Sequence, residues 1–238
     1  MNMYEKKARE DMDFFNNFFA VKLEMLPFLV SVLLIAFTVH EFAHAYFAWK
    51  FGDPTAKLLG RVSLNPAKHV DFLGMLFFVI AGFGWARPVP VNRDNFKHPR
   101  LMGIVVSAAG PISNLLLAFI GTIVIHLGLK FGFVQLGSPD RVHLAIYYFL
   151  NYFITYNVLL FLFNLIPLPP LDGYRIVEDL APRSLRLRLQ QFEQWSILIF
   201  FMLVLIPPLR NMTLTPLFNL IEPIVFNFSR TAAYLVGM

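Results

Sequence analysis

Two histidines and a glutamate stand at the end of a long apolar run. The run covers residues 27–39 (PFLVSVLLIAFTV), has no charged side chain, and leads directly into the stretch HEFAH, from His40 to His44. Hydrocarbon penalises polar groups, so ionisable side chains at membrane depth are rare and usually functional. Their spacing, H-E-x-x-H, indicates chemistry on a metal-bound water.

This spacing suits a zinc site on a helix. Residues i and i+4 share one helical face, so His40 and His44 can reach a single ion. Neutral imidazole suits Zn²⁺, which in catalytic sites takes a third protein ligand and keeps one position open for water. Glu41 can act as general base toward that water. The sequence has no cysteine, which excludes a thiolate site. The alternative is two unrelated histidines at a membrane interface.

A candidate third ligand lies far along the chain. Residues 164–173 (NLIPLPPLDG) close another apolar segment, and their three prolines prevent a regular helix. Irregular backbone at membrane depth is tolerated only around a cavity or inside protein. Asp172 stands at this opening, where Gly173 permits an unusual turn, and a carboxylate can complete a site with two histidines. The alternative is a helix stop with Asp172 as a surface turn residue.

The composition around these residues is that of a membrane protein. The chain is 57% hydrophobic and 15% charged, with a mean hydropathy of +0.61, whereas about a quarter of a soluble domain is charged. A spanning helix needs about 20 mostly apolar residues. Five stretches compete for that role, with a weaker sixth that two prolines interrupt: residues 25–49, 70–85, 101–129, 144–168, 195–209 and 214–228. We therefore predict an all-α polytopic membrane protein with about five to six transmembrane segments.

The chain after the first span has a different pattern. Residues 59–64 (LGRVSL) predict a short strand between two turns, and residues 86–92 (ARPVPVN) are proline-rich and extended. Open strand edges cannot face lipid, so both pieces must lie at the interface or line a protein-walled cavity. Residues 70–85, between them, are short enough to dip into the membrane and return. We predict a strand-like, re-entrant region here.

Charge and composition bound the organisation of the chain and its partners. We divide the chain into a polar or amphipathic tail (1–24), a membrane core (25–190) and C-terminal membrane segments (191–238). The net charge of +5 comes without a basic stripe or a nucleic-acid motif, so nucleic acid is excluded as a partner. Basic clusters after the first, second and fourth apolar segments favour a cytoplasmic position for those loops and an outside N-terminus. The alternative, in which residues 70–85 cross fully and the N-terminus lies inside, stays open. The cluster around Arg183, Arg186 and Arg188 favours contact with anionic membrane lipid.

Three motifs together resemble those of the site-2 protease family of intramembrane zinc metalloproteases. They are HEFAHA, AGPISN (109–114) and NLIPLPPLDG, and they occur in matching order over residues 33–173. The stretches GRVSLNPAKHVDFLG and GWARPVPVN resemble the compact prokaryotic branch, without PDZ or CBS modules. The resemblance implies one Zn²⁺ per chain bound by His40, His44 and Asp172, with Glu41 as the catalytic acid and base.

The resemblance also implies a substrate class and further site residues. It implies a multi-pass endopeptidase of the cell membrane that cleaves transmembrane segments of other proteins, and the oligomeric state stays open. Asn164, eight residues before the aspartate, would hold the substrate backbone or the developing oxyanion. The strand-like pieces would pair with an unwound substrate. The candidates for substrate binding are Asn114, which could instead pack or polarise the core, Arg61, Val62, Ser63 and His69. For His69, the alternative is a histidine that caps a segment at the interface.

Other functions remain open at this point. A membrane zincin would take a glutamate as third ligand, with Glu178 and Glu193 as candidates. A divalent-metal transporter would use His40, His44 and Asp172 as a midplane site, and a pseudoprotease would keep the fold without turnover. Measuring bound zinc after mutation of Asp172 or of Glu178 distinguishes the zincin from the site-2 type. Metal flux that survives Glu41→Gln would favour the transporter.

Overall fold

The structure is a computed structural model that describes residues 23–81, 84–135 and 140–238, so most of the predicted N-terminal tail lies outside the described residues. Within these ranges all regular structure is helical and no β-strand occurs, which confirms the predicted all-α class. The α-helices in chain order are α1 (Leu26–Lys50), α2 (Thr55–Leu58), α3 (Phe72–Ala81), α4 (Pro99–Phe131), α5 (Arg141–Asn164), α6 (Asp172–Leu180), α7 (Arg183–Leu205), α8 (Pro207–Phe218) and α9 (Ile221–Val236). Short 3₁₀ turns occur at Leu23–Met25, Pro66–Lys68 and Arg93–Asn95.

Within the described ranges, three helices are long and apolar enough to cross a membrane: α1, α4 and α5. Helix α7 passes the same test only together with α8 and α9, across an 88° bend, so the number of candidate spans is three or, with this pair, four. The predicted five to six spans are not confirmed. Helix α3 has ten residues, about 15 Å at 1.5 Å per residue, which is half the hydrocarbon thickness. The predicted division at residue 190 falls inside α7 and stays a prediction.

The packing of α1, α4 and α5 forms the frame of the site. An apolar cluster joins α1, α3 and α5 through Leu33, Phe37, Phe78 and Leu160. The buried face of α4 consists largely of small residues: Gly103, Ser107, Ala109, Gly110, Ala118, Gly121, Thr122 and Gly128. Small residues let helix backbones approach closely, as is common between membrane helices. The backbone of α4 can therefore lie directly against side chains of its neighbours.

The prediction of a strand over residues 59–64 is wrong in the described chain. Helix α2 ends in a turn at Gly60, whose φ is +66°, and the N–H of Arg61 donates to the carbonyl of Ala56. The backbone groups that would begin a strand ladder are thus used to close the helix. The contact with the proline-rich segment comes instead from a side chain, because the Arg61 guanidinium donates to the carbonyls of Arg87 and Pro88.

The two ends of the predicted re-entrant region lie next to each other. The N–H of Arg87 donates to the carbonyl of His69 at 2.8 Å. A Cβ on Gly74, in the first turn of α3, would lie 2.0 Å from the carbonyl oxygen of Trp85, so these two backbones are in contact. The chain that leaves through α3 therefore comes back beside its start.

Candidate metal centre

Helices α1 and α6 bring the three predicted ligands together. His40 and His44 lie one turn apart on α1, and Asp172 is the first residue of α6. Nε2 of His40 lies 3.0 Å from Nε2 of His44 and 3.1 Å from Asp172 Oδ2, and Nε2 of His44 lies 3.3 Å from Asp172 Oδ1. The three residues offer ligand atoms within 4.8 Å of one another and form the one such group of three in the described part of the chain.

The start of α6 depends on a glycine. Helix α5 ends at Asn164, and residues 165–171 form the predicted break before Asp172. A Cβ on Gly173 would lie 2.2 Å from the carbonyl oxygen and 2.4 Å from the carbonyl carbon of Leu165. These are backbone atoms, which cannot move aside as a flexible side chain can. Gly173 is therefore needed for the close approach of α6 to the end of α5, and not for a turn with positive φ.

Both imidazoles are oriented through their other nitrogen. His40 Nδ1 donates to Asn114 Oδ1 at 2.7 Å, and His44 Nδ1 donates to the carbonyl of Val106 at 2.7 Å. The amide of Asn114 is itself fixed, since its Nδ2 donates to Asn157 Oδ1 and to the carbonyl of Ala36. Carbonyl oxygens only accept hydrogen bonds, so each ring carries a proton on Nδ1, and Nε2 is the nitrogen that can bind a metal.

This donor set fits a zinc ion. Two imidazole Nε2 atoms and a carboxylate face one another at about 3 Å, and Asp172 Oδ2 is buried with no described donor outside this group. Lone pairs this close repel one another unless a metal cation or protons lie between them. Two imidazoles with a carboxylate are a ligand set that catalytic zinc takes, with a fourth position left for water.

Helix α4 closes one side of this centre with a glycine that the sequence analysis did not single out. A Cβ on Gly110 would lie 2.3 Å from His44 Nε2 and 2.7 Å from His40 Cε1. The bare α4 backbone at this position therefore borders both ligands. The available signal was the AGPISN motif, in which this glycine stands four residues before Asn114.

Glu41 is buried beside the ligands and contacts the proline-rich segment. The N–H of Val89 donates to Glu41 Oε2 at 3.0 Å, and the glutamate is only 7% exposed. The guanidinium of Arg61 is buried and holds the same segment through the carbonyls of Arg87 and Pro88. Residues 84–92 are therefore held against Glu41.

The structure places several predicted substrate-binding residues inside the protein. Asn114 is fully buried and orients the His40 imidazole, so its side chain is not on an exposed surface. His69 is fully buried and its Nε2 donates to the carbonyl of Ser63 at 2.7 Å, while burial lowers the pKa of its imidazole. Arg61 bonds backbone carbonyls. Val62 and Ser63 are half-buried in the same loop.

The remaining predicted residues do not reach the ligand atoms. Asn164 Nδ2 donates to the carbonyl of Leu160 at 3.0 Å, which is a bond within its own helix. Glu178 is paired with Arg93, Arg175 and Arg186, and Glu193 is paired with Arg175, so the structure gathers neither of these carboxylates with the histidines. The zincin alternative therefore lacks its glutamate ligand at this centre.

The helical fold and a histidine–aspartate centre with an adjacent glutamate define a metallopeptidase class. Residues 130–207, which include Asp172, match the peptidase family M50. The chain is 48% identical over 204 residues to "Putative zinc metalloprotease YwhC" of Bacillus subtilis (strain 168), and the match covers 86% of this chain and 91% of that relative. It is 32% identical over 215 residues to "Putative zinc metalloprotease Rip2" of Mycolicibacterium smegmatis, with 88% of this chain and 76% of the relative covered.

A third relative, also named "Putative zinc metalloprotease Rip2", comes from Mycobacterium tuberculosis (strain ATCC 25618 / H37Rv) and is 29% identical over 189 residues, with 77% of this chain and 68% of the relative covered. No solved structure shows a significant match. The chain belongs to peptidase family M50, the site-2 protease family. The resemblance inferred from its motifs is thereby confirmed.

Proposed function

We propose that this chain is a multi-pass zinc endopeptidase of the cell membrane that hydrolyses peptide bonds in or near transmembrane segments of other proteins. The observation that carries the proposal is the convergence of His40, His44 and Asp172 beside Glu41, on a helix long and apolar enough to span a membrane. Membership of a peptidase family supports the reaction type, and the names of the relatives support zinc.

One zinc ion per chain would be held by His40, His44 and Asp172, where it supplies a Lewis acid and lowers the pKa of a bound water toward about 7. The hydrogen bonds to Asn114 and Val106 keep both imidazoles in the tautomer that a metal needs. Asp172 comes from a separate helix, so the fold has to bring it to the two histidines.

Glu41 carries the proton transfers. Its Oε1 accepts a proton from the attacking water and returns it to the leaving amine, while the N–H of Val89 holds Oε2. The amide of Asn164 lies at the end of α5 and bonds its own helix, so it must rotate to reach a developing oxyanion. If it does, a donor of this kind typically contributes about 3 kcal/mol.

Substrate access involves the region between α1 and α4. We infer that α3 dips into the membrane and returns, which the contact between Arg87 and His69 supports. A substrate helix must unwind before its peptide bonds are accessible, and an unwound segment needs backbone partners. Residues 84–92, which are not helical and border Glu41, are the candidate surface for an extended substrate.

The decisive experiment compares wild type with Glu41→Gln. Both chains are purified in detergent and incubated with a panel of transmembrane peptides, and zinc is measured in both. We expect cleavage by the wild type only and equal zinc in the two chains, because the substitution keeps the ligands and removes the base. Equal cleavage by the variant would refute the assigned role of Glu41. Metal flux into liposomes that survives the substitution would favour a transporter.

A further inference from the structure

A buried ionic cluster lies at the far end of α6, the helix that begins with Asp172. Glu178 and Asp179 are only 2% and 3% exposed. Arg93 Nη1 lies 2.9 Å from Asp179 Oδ1 and 3.3 Å from Glu178 Oε2. Arg186 of α7 lies 3.3 Å from Glu178 Oε1 and 3.8 Å from Asp179 Oδ1. Buried carboxylates are costly unless they are paired, so the position of α6 depends on these arginines.

Arg93 is the arginine of this cluster that belongs neither to α6 nor to α7. It opens the turn Arg93–Asn95 directly after the segment that contacts Glu41. The residue before it, Asn92, donates through its N–H to Asp53 Oδ2 at 2.7 Å, close to the end of α1. The backbone of Arg93 is thus fixed to the α1 side of the metal centre, while its side chain pairs with α6. Arg175 belongs to α6 itself.

Helix α6 is short and is held at both ends. It has nine residues, and about 9 Å of helix separates Asp172 from Glu178. At its start, Gly173 packs on the backbone of Leu165. At its end, a Cβ on Gly103 of α4 would lie 2.5 Å from Asp179 Oδ2, so the bare glycine makes room for this carboxylate. A displacement at the ionic end must therefore shift or tilt Asp172.

We propose that Arg93 is a positioning residue for the metal centre: its pairing with Glu178 and Asp179 sets α6, and with it Asp172, relative to His40 and His44. Arg93 acts through α6 and makes no described bond to a ligand. The inference rests on the proposed zinc site. It assigns to a loop arginine the alignment of two ligand helices that are distant in the sequence.

The test compares Arg93→Met with Arg175→Met. Arg175 pairs with the same Glu178 at 3.2 Å, but its pairing with Glu178 stays within α6 and does not join α6 to the α1 side. Zinc dissociation constants of the full-length chain in detergent are measured by chelator competition, together with the unfolding temperature of the zinc-free protein. We expect Arg93→Met to raise the zinc dissociation constant at least about tenfold, as partners behind metal ligands do, and Arg175→Met to raise it less than about threefold. Equal effects of the two substitutions, or none from Arg93→Met, would overturn the proposal.

A double variant tests whether an unpaired buried charge, and not the lost connection to α6, weakens zinc binding. Arg93→Met leaves a buried carboxylate without its closest partner, which alone can disturb the fold. In Arg93→Met combined with Asp179→Asn, that charge is removed but the connection to α6 is still absent. We expect zinc binding to stay weak, and recovery of wild-type affinity would show that the orphan charge caused the loss. If the wild type itself binds no zinc, the proposed function fails. If the wild type binds zinc and the Arg93 variants bind it with the same affinity, this inference alone fails.

Discussion

The metal centre and the loops beside it are held by different kinds of interaction. At the centre, helix backbones fix His40, His44 and Asp172, and the imidazoles are oriented by Asn114 and the α4 backbone. In residues 61–69 and 84–95, single side chains hold irregular backbone: Arg61 on two carbonyls, His69 on one, and Asp53 on the N–H of Asn92. On the proposed function, metal binding and substrate handling belong to separate regions, so variants in the two regions should have different readouts.

Gly110→Ala should give the largest effect, because the new Cβ would lie 2.3 Å from His44 Nε2. We expect zinc affinity to fall more than about 100-fold, or about 2.7 kcal/mol. Gly128→Ala is the control, since it makes the same change in the same helix but meets mainly the Val134 side chain, at 2.7 Å. Chelator competition on both purified variants checks this, and wild-type zinc affinity in Gly110→Ala would contradict the described site.

Asn114→Ala should weaken zinc binding by about 10- to 100-fold, because it removes the acceptor that orients His40. Asn157→Ala is the matched control: it removes the partner of Asn114 but leaves the bond to His40 in place. Its effect on the zinc dissociation constant should be clearly smaller. If the two alanine variants lose zinc equally, the amide of Asn114 does not act through His40.

Arg61→Met should lower proteolysis about tenfold at unchanged zinc content, because it frees the carbonyls of Arg87 and Pro88 and loosens the segment at Glu41. Bonds from a charged donor contribute about 1.5–3 kcal/mol each, and tenfold corresponds to about 1.4 kcal/mol. Arg87→Met removes a neighbouring exposed guanidinium and should have little effect. Proline or aspartate at residues 61–64 should act as Arg61→Met does. A loss of zinc in Arg61→Met would break the separation between the two regions.

His69 should give the smallest effect, as a dependence of stability on pH. Burial lowers the pKa of His69 in the fold, so the unfolded chain takes up the proton first. The stability that neutral His69 provides is therefore present above about pH 6.5 and is lost as the pH falls below that value. His69→Gln should flatten the fall in unfolding temperature between pH 7.5 and 5 relative to wild type. Identical slopes would show that His69 does not titrate on unfolding.

The same division explains what the sequence could predict. The lengths of the apolar runs predicted α1, α4 and α5, the prolines predicted the break before Asp172, and the spacing of His40 and His44 follows from helix geometry. These are local patterns. The role of Gly110 depends on which backbone lies against the histidines. Arg93 pairs with two residues of α6 that are separated from it by 85 and 86 positions in the sequence.

The errors have physical causes of the same kind. Residues 59–64 have strand-like residue types, but Gly60 and the closing bond from Arg61 to Ala56 end a helix there instead. The predicted span count is not confirmed where length alone cannot tell a crossing from a bend: α3 is short, and α7 begins with Arg183 and is separated from α8 by a sharp bend. His69 has residue chemistry suited to a site, yet its buried ring stabilises a loop.

Zinc stoichiometry and affinity in four purified chains test the central claim most directly: wild type, Glu41→Gln, Asp172→Ala and Glu178→Gln. With His40, His44 and Asp172 as the ligands, one tightly bound zinc per chain should remain in wild type and Glu41→Gln. Asp172→Ala should lose it, and Glu178→Gln should still bind one zinc, although less tightly. Full zinc occupancy at wild-type affinity in Asp172→Ala would contradict the account.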